Sequence, residues 1–84
     1  MDYNLALSAV GYGSVRVLRE RHFSTDPFLL PANWILKKPD PVQFCVEALE
    51  VEHPDWVEKI DEETRRAIHT RLRDEARRGR IHPS

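Results

Sequence analysis

Residues 55–79 read DWVEKIDEETRRAIHTRLRDEARRG, and this stretch decides the fold because its apolar residues recur with the period of an α-helix. At about 100° per residue they fall within one arc of about 140°, the width expected of a stripe that faces a core. The stripe consists of Val57, Ile60, Thr64, Ala67, Ile68 and Leu72. Asp55 and Glu58 form a capping box, and Gly79 suits a C-terminal stop. The pattern predicts an amphipathic helix over about residues 56–78.

A second helix is predicted over about residues 41–52. Asp40 is a good N-cap, Pro41 suits the first helical position, and Gln43 completes a capping box, while Pro54 ends the segment. Its apolar residues occupy two arcs, which indicates a helix buried on both sides. The two predicted helices would pack together through five side chains, namely Val46, Leu49, Ile60, Ile68 and Leu72.

The N-terminal third, residues 2–23, fits two structures. Alternating apolar residues on both sides of residues 11–13 are typical of a β-hairpin with a glycine-containing turn. Asp2 is also a possible N-cap, and Leu5, Ala6, Ala9 and Val10 have helical spacing. Each glycine inside a helix costs about 1 kcal/mol relative to alanine, so a helical version is expected to break near residues 11–13. Helix is favoured, and the hairpin stays as the alternative.

The predicted organisation is a single domain over residues 1–84, of the mainly α class, or α+β if the hairpin forms. Prolines mark residues 24–39 as an extended connector in which residues 33–38 fit one short turn, and residues 80–84 form a tail. A chain of this length buries only about 60–65% of its surface on folding. A partner or a second copy that covered an apolar face would therefore add stability, and either a homodimer or stabilisation by a partner is expected on that ground.

No motif in the sequence indicates catalysis. The four histidines lack the spacing of a zinc protease, and Cys45 has no second cysteine with which to share a metal. Residues 11–14 contain two glycines but lack the lysine and spacing of a P-loop. The acidic residues 61–63 are explained by capping at a helix N-terminus. The sequence predicts no enzymatic activity, no metal and no cofactor.

The sequence also lacks signals for secretion or membrane insertion. The chain begins Met1-Asp2, where a secretory signal would carry a basic residue before an apolar run. Its densest apolar cluster is far shorter than the ~20 residues that span a bilayer. The lone cysteine excludes an internal disulfide and agrees with a reducing compartment. A cytoplasmic protein without membrane contact is expected.

Charge reverses sharply along the chain, although the net charge is only −1. Residues 40–63 contain nine carboxylates and one lysine, whereas residues 64–84 contain seven arginines and two carboxylates. A helix macrodipole favours acidic residues near the N-terminus and basic residues near the C-terminus. Helix stability is therefore the first explanation of the pattern. Four arginines nevertheless share an arc of about 60° opposite the apolar stripe and extend over roughly 20 Å. They are Arg66, Arg73, Arg77 and Arg80.

These arginines, together with Phe28 and Trp34 of the connector, are the predicted partner-binding residues. The alternatives are that the arginines form an ordinary solvated face and that the connector lies across the two helices and closes the core. Trp and Arg are the residue types that most often dominate interfaces. The sequence predicts a small adaptor, assembly factor or inhibitor that binds an acidic protein surface. A nucleic-acid-binding regulator is the alternative, because an arginine row can follow a phosphate backbone. The slightly acidic chain and the absence of aromatic residues between the arginines favour the protein partner.

Overall fold

The structure is a computed structural model that describes residues 2–20 and 30–80. Within these two ranges the chain forms α-helices and no strand. The helices are α1 (Tyr3–Glu20), α2 (Pro31–Leu36), α3 (Pro41–Glu52), α4 (Pro54–Val57) and α5 (Glu62–Arg80). The predicted mainly α class is confirmed, and the β-hairpin alternative is wrong.

Helix α1 runs without interruption through both of its glycines. Asp2 caps it as predicted, since its carboxylate accepts a hydrogen bond of 3.0 Å from the backbone N–H of Leu5. The predicted break near residues 11–13 is wrong. Packing explains the continuity: a Cβ placed on Gly13 would lie 2.6 Å from the Sγ of Cys45 on α3, so the glycine lets the two helices approach closely. This tertiary contact offsets the low helix propensity of glycine.

Helix α3 has the predicted bounds, Pro41–Glu52. The Asp40 carboxylate accepts a hydrogen bond of 3.1 Å from the backbone N–H of Gln43, which is one half of the predicted capping box. The Gln43 side chain does not complete the box in the expected way. Its carbonyl oxygen instead accepts a hydrogen bond of 3.1 Å from the guanidinium of Arg65. The same glutamine therefore marks the start of α3 and joins α3 to α5.

The last helix begins at Glu62, so the predicted start near residue 56 is wrong. Residues Pro54–Val57 form a separate helical turn, α4, and the chain leaves it before Asp61 caps α5. One oxygen of Asp61 accepts from both the backbone N–H and the hydroxyl of Thr64, at 2.8 and 2.6 Å. Thr64 is fully buried, and its hydroxyl accepts a bond of 3.4 Å from the Asp2 backbone N–H. The cap at Asp61 satisfies more hydrogen-bonding groups than the predicted capping box of Asp55 and Glu58 would.

Helix α2 lies within the segment predicted as an extended connector. It begins at Pro31, which suits a first helical position, and it buries Ala32 and Ile35. The second half of the predicted connector is therefore partly helical and contributes to the core. Residues 24–29 lie outside the described ranges, as do residues 81–84 of the predicted tail.

The core forms where α1, α3 and α5 meet, with α2 closing one side. Leu49, Ile68 and Leu72 have no exposed surface, and Val46 is also buried, as the sequence predicts. The fifth predicted contact residue, Ile60, is partly buried against this core but lies in the link before α5 rather than on the helix.

Candidate partner-binding surfaces

The outer face of α5 carries three of the predicted arginines. Arg66, Arg73 and Arg77 are all exposed. The helical period places them within about 40° of one another, on the side opposite the buried residues Ile68 and Leu72. We refer to these three residues as the arginine face. The fourth predicted arginine, Arg80, belongs to α5, but its side chain lies outside the described part of the structure.

The arginine face differs from the rest of α5 in having no internal partners. Three neighbouring arginines are engaged: Arg65 donates to Gln43, Arg71 pairs with Glu75 at 3.3 Å, and Arg78 pairs with Asp74 at 3.1 Å. Among the described residues, none pairs with a side chain of the arginine face. Each guanidinium there keeps all five N–H donors for an external acceptor.

Two shallow grooves that share Arg66 border the arginine face. The larger has a volume of about 530 Å³ and is lined by Tyr3, Glu63, Arg66, Ala67, Thr70, Arg71 and Asp74. The second, of about 480 Å³, is lined by Asp40, Val42, Arg65, Arg66, His69 and Thr70. Arg66 belongs to both grooves. Carboxylates stand beside guanidinium groups in each groove, so the surface around the arginine face has mixed charge.

Of the two aromatic residues predicted as partner anchors, the structure describes only Trp34. Phe28 lies outside the described ranges. Trp34 lies on α2, where it is partly buried and packs against the core, with the Lys37 ammonium 4.5 Å from its ring centroid. Part of the indole therefore packs within the fold. Only the part that stays exposed is available to a partner.

The outer face of α1 is a surface that the sequence analysis missed. Leu7, Val15 and Leu18 are exposed by 36%, 46% and 42%, and they share one side of the helix with Gly11. We refer to these four residues as the α1 outer face. The signal was present in the sequence, because residues 3–15 contain no charged side chain. The sequence alone does not separate an exposed apolar helix face from a core face, and the exposure of these side chains in the folded chain does.

A ring cluster joins α1 to the junction between α3 and α4. The Tyr12 hydroxyl lies 3.0 Å from the Nε2 of His53, within hydrogen-bond distance. The His53 ring stacks on Trp56, with ring centroids 3.6 Å apart and an angle of 5° between the planes. The stacking links His53, the C-cap residue of α3, to Trp56 of α4. Sequence analysis could not pair Tyr12 with His53 because they lie far apart in the chain.

The single cysteine has the environment of a structural thiol. Cys45 of α3 is fully buried where α3 meets Gly13 of α1. Burial raises the pKa of its thiol to about 12, and the charge of Glu75 acts in the same direction. The thiolate is the reactive form of cysteine, so this thiol is inert near neutral pH.

Within residues 2–20 and 30–80, no three His, Cys, Asp or Glu side chains group together as a metal site requires. The helices of these ranges all fall short of the combined length and hydropathy needed to span a lipid bilayer. Comparison of the chain with models of known protein families, with curated proteins and with solved structures gave no significant match. Any statement about function therefore depends on the surfaces described above.

Proposed function

We propose that this protein binds an acidic surface of another protein through the arginine face of α5. The observation that carries the proposal is the row of three exposed guanidinium groups without internal partners. Arg66 and Arg77 lie eleven residues apart, which corresponds to about 16 Å along the helix. Guanidinium groups bind carboxylates through two parallel N–H···O bonds, and such charge-assisted bonds are about twice as strong as neutral ones.

A protein partner fits this surface better than a nucleic acid does. Glu63 and Asp74 line the larger groove beside Arg66, so carboxylates interrupt the positive potential. A phosphate backbone, which is negative throughout, would be repelled by them. A protein surface can set carboxylates against the arginines and keep its own carboxylates away from Glu63 and Asp74. The net charge of −1 also provides no general attraction to nucleic acid.

Binding of this kind requires no chemistry from the protein itself. It would act by covering a surface of its partner or by holding two components together, as an adaptor, assembly factor or inhibitor does. Cys45 is a buried, inert thiol, and the His53 ring contacts Tyr12 and Trp56 within the fold. Nucleic-acid binding through the same arginines is the second candidate, favoured by their alignment in one row.

The test compares two triple variants with the same change in charge. One replaces the arginine face: Arg66→Gln, Arg73→Gln and Arg77→Gln. The matched control replaces the engaged arginines of the same helix: Arg65→Gln, Arg71→Gln and Arg78→Gln. Glutamine keeps good helix propensity, and thermal unfolding checks that both variants fold. Binding is measured by fluorescence anisotropy with a labelled Glu-rich peptide and with a labelled DNA duplex.

The expected result is that the first variant loses binding to the Glu-rich peptide, whereas the control keeps most of it. A pull-down from source lysate should lose one protein band with the first variant and be unchanged by nuclease. Tight binding of the duplex at physiological salt would contradict the proposal. That outcome would come with a log–log salt slope that falls by about 0.9 for each phosphate contact removed, and it would establish the second candidate.

A further inference from the structure

The arginine face lies along one continuous groove of α5. The larger groove, of about 530 Å³, lies beside Arg66, and a smaller hollow of about 170 Å³ lies beside Arg73 and Arg77. Thr70 and Asp74 line both, so the two join end to end and follow the helix over about 21 Å. A rod-shaped partner in this groove can therefore contact all three arginines at once.

The three arginines are unevenly spaced along the groove. Arg73 precedes Arg77 by four residues, and Arg66 precedes Arg73 by seven. Measured from Arg77 along the helix axis, the other two charges therefore lie at about 6 Å and about 16 Å. The position that would complete an even row is Thr70, which is exposed and uncharged. The face thus has two charges close together towards the C-terminus of α5 and one farther away.

This spacing suits a partner helix better than an extended strand. A helix has the same rise and period as α5, so carboxylates at matching spacings meet all three arginines from one side. A β-strand presents side chains to one face only about every 6.7 Å. Its second carboxylate would reach Arg73, but the third would fall about 3 Å short of Arg66 or about as far beyond it.

The uneven spacing also distinguishes the two directions in which a partner helix can lie. An antiparallel helix would carry its carboxylates at offsets of zero, four and eleven residues, whereas a parallel helix would carry them at zero, seven and eleven. The antiparallel helix opposes the dipole of α5 and has two of its three carboxylates towards its own N-terminus, where negative charge stabilises a helix. The parallel helix has two towards its C-terminus, where negative charge destabilises it. Charge therefore favours the antiparallel direction.

The groove offers an apolar contact beside the charged row. Tyr3 of α1 is the one residue lining the larger groove that does not belong to α5, and its surface is 47% exposed. Ala67 lies on the α5 side of the same groove and is half-buried. An apolar side chain next to the carboxylates of a partner helix can pack between them, as in the helix-in-groove mode of recognition. The groove therefore suits an amphipathic helix.

From these observations we infer that the partner of the arginine face is an acidic amphipathic α-helix that lies antiparallel to α5. Its carboxylates at offsets of zero, four and eleven residues face Arg77, Arg73 and Arg66 in that order. Asp74, which also lines the groove, pairs with Arg78 at 3.1 Å, and this pairing reduces its repulsion of the partner. The inference rests on the proposed function, because it specifies the structure of the acidic surface that this function requires.

Three alanine- and glutamine-based peptides of equal length and charge test the inferred helix. The first carries glutamates at offsets of zero, four and eleven, and the second at zero, seven and eleven. The third repeats the first with prolines between the glutamates, which prevent helix formation. Circular dichroism checks the helicity of each peptide, and fluorescence anisotropy measures its binding to the full chain. The first peptide should bind about tenfold more tightly than either of the others, which corresponds to about 1.4 kcal/mol.

An exchange of charges tests the antiparallel direction. Arg77→Glu should weaken binding of the first peptide, and lysine in place of the N-terminal glutamate of the peptide should restore it. For Arg66→Glu, lysine in place of the C-terminal glutamate should restore binding instead. The control Arg78→Glu makes the same change in charge beside the row, at a residue that pairs with Asp74. Neither lysine peptide should bind this control more tightly than the first peptide does, and thermal unfolding checks that all three variants fold.

The results that contradict the inference differ from those that contradict the proposed function. Equal binding of all three peptides, lost with the triple variant of the arginine face, would overturn the inferred helix and leave the proposed function standing. Tighter binding of the second peptide, or restoration of Arg77→Glu by the C-terminal lysine, would overturn the antiparallel direction. If neither these peptides nor the Glu-rich peptide binds, the inference and the proposed function are both wrong.

Discussion

Helices α1 and α5 have similar lengths and bury one side in the same core, yet their outer faces are opposite in chemistry. The outer face of α5 carries three arginines without internal partners, whereas that of α1 carries leucine, valine and glycine without charge. A charged outer face can be recognised from the sequence, because arginine opposite an apolar stripe is expected to be exposed. An uncharged one cannot, because the same residues are expected in a core.

The largest expected effect is the difference in lost stability between truncating a buried leucine of α5 and truncating an exposed leucine of α1. Leu72 of α5 has no exposed surface, so Leu72→Ala should lower the free energy of unfolding by about 2–4 kcal/mol. Leu7 on the α1 outer face is 36% exposed, and Leu7→Ala should cost less than about 1 kcal/mol in the monomer. Urea unfolding at low protein concentration measures both. Equal losses would mean that the α1 outer face is part of the core.

The second prediction compares the two glycines of α1. Gly13→Ala should destabilise the protein by about 1 kcal/mol or more, because the added methyl group overlaps Cys45 and the cost of overpacking exceeds the gain in helix propensity. Gly11→Ala should stabilise the monomer by about 0.5–1 kcal/mol, because the added methyl group meets no atom of the described residues within 4 Å. Thermal unfolding at low concentration checks the opposite signs. A loss of stability with Gly11→Ala would show that Gly11 has a contact within the chain.

The third and smallest effect concerns the start of α5. Hydrogen bonds from the Thr64 hydroxyl and N–H hold the pKa of Asp61 below its usual value. Because the pKa is lower in the folded state, Asp61 contributes stability above its unfolded pKa, and this contribution is lost as the pH falls through the folded value. Asp61→Asn keeps a good cap without the charge, so its unfolding free energy should fall less than that of the native protein between about pH 5 and pH 2. Identical profiles for both proteins would contradict the assignment of the cap.

These predictions reflect which parts of the fold depend on local sequence. The bounds of α3 could be predicted because Asp40 and Pro54 act within a few residues of the helix ends. The start of α5 could not, because two aspartates compete for it and the choice depends on the buried hydroxyl of Thr64, which also contacts Asp2 at the other end of the chain. The continuity of α1 likewise depends on a distant contact, that of Gly13 with Cys45.

In the candidate site, too, some features follow from local sequence and others depend on contacts between distant residues. The exposure of Arg66, Arg73 and Arg77 follows from the helical period and was predicted. Which arginines lack partners was not predicted, because Arg65 donates a hydrogen bond to a residue of another helix. The ring cluster of Tyr12, His53 and Trp56 was missed for the same reason, since Tyr12 meets His53 only after the chain has folded.

The most direct measurement of the proposed difference between the two outer faces is a ¹⁵N NMR titration with a Glu-rich peptide. The peptide should shift amide signals in residues 66–77, and the shifts should disappear with the triple variant of the arginine face. The signals of residues 4–18 should stay unchanged. If the peptide leaves residues 66–77 unchanged, or if it shifts residues 4–18 as much, the arginine face is not a separate binding surface and the proposed function is wrong.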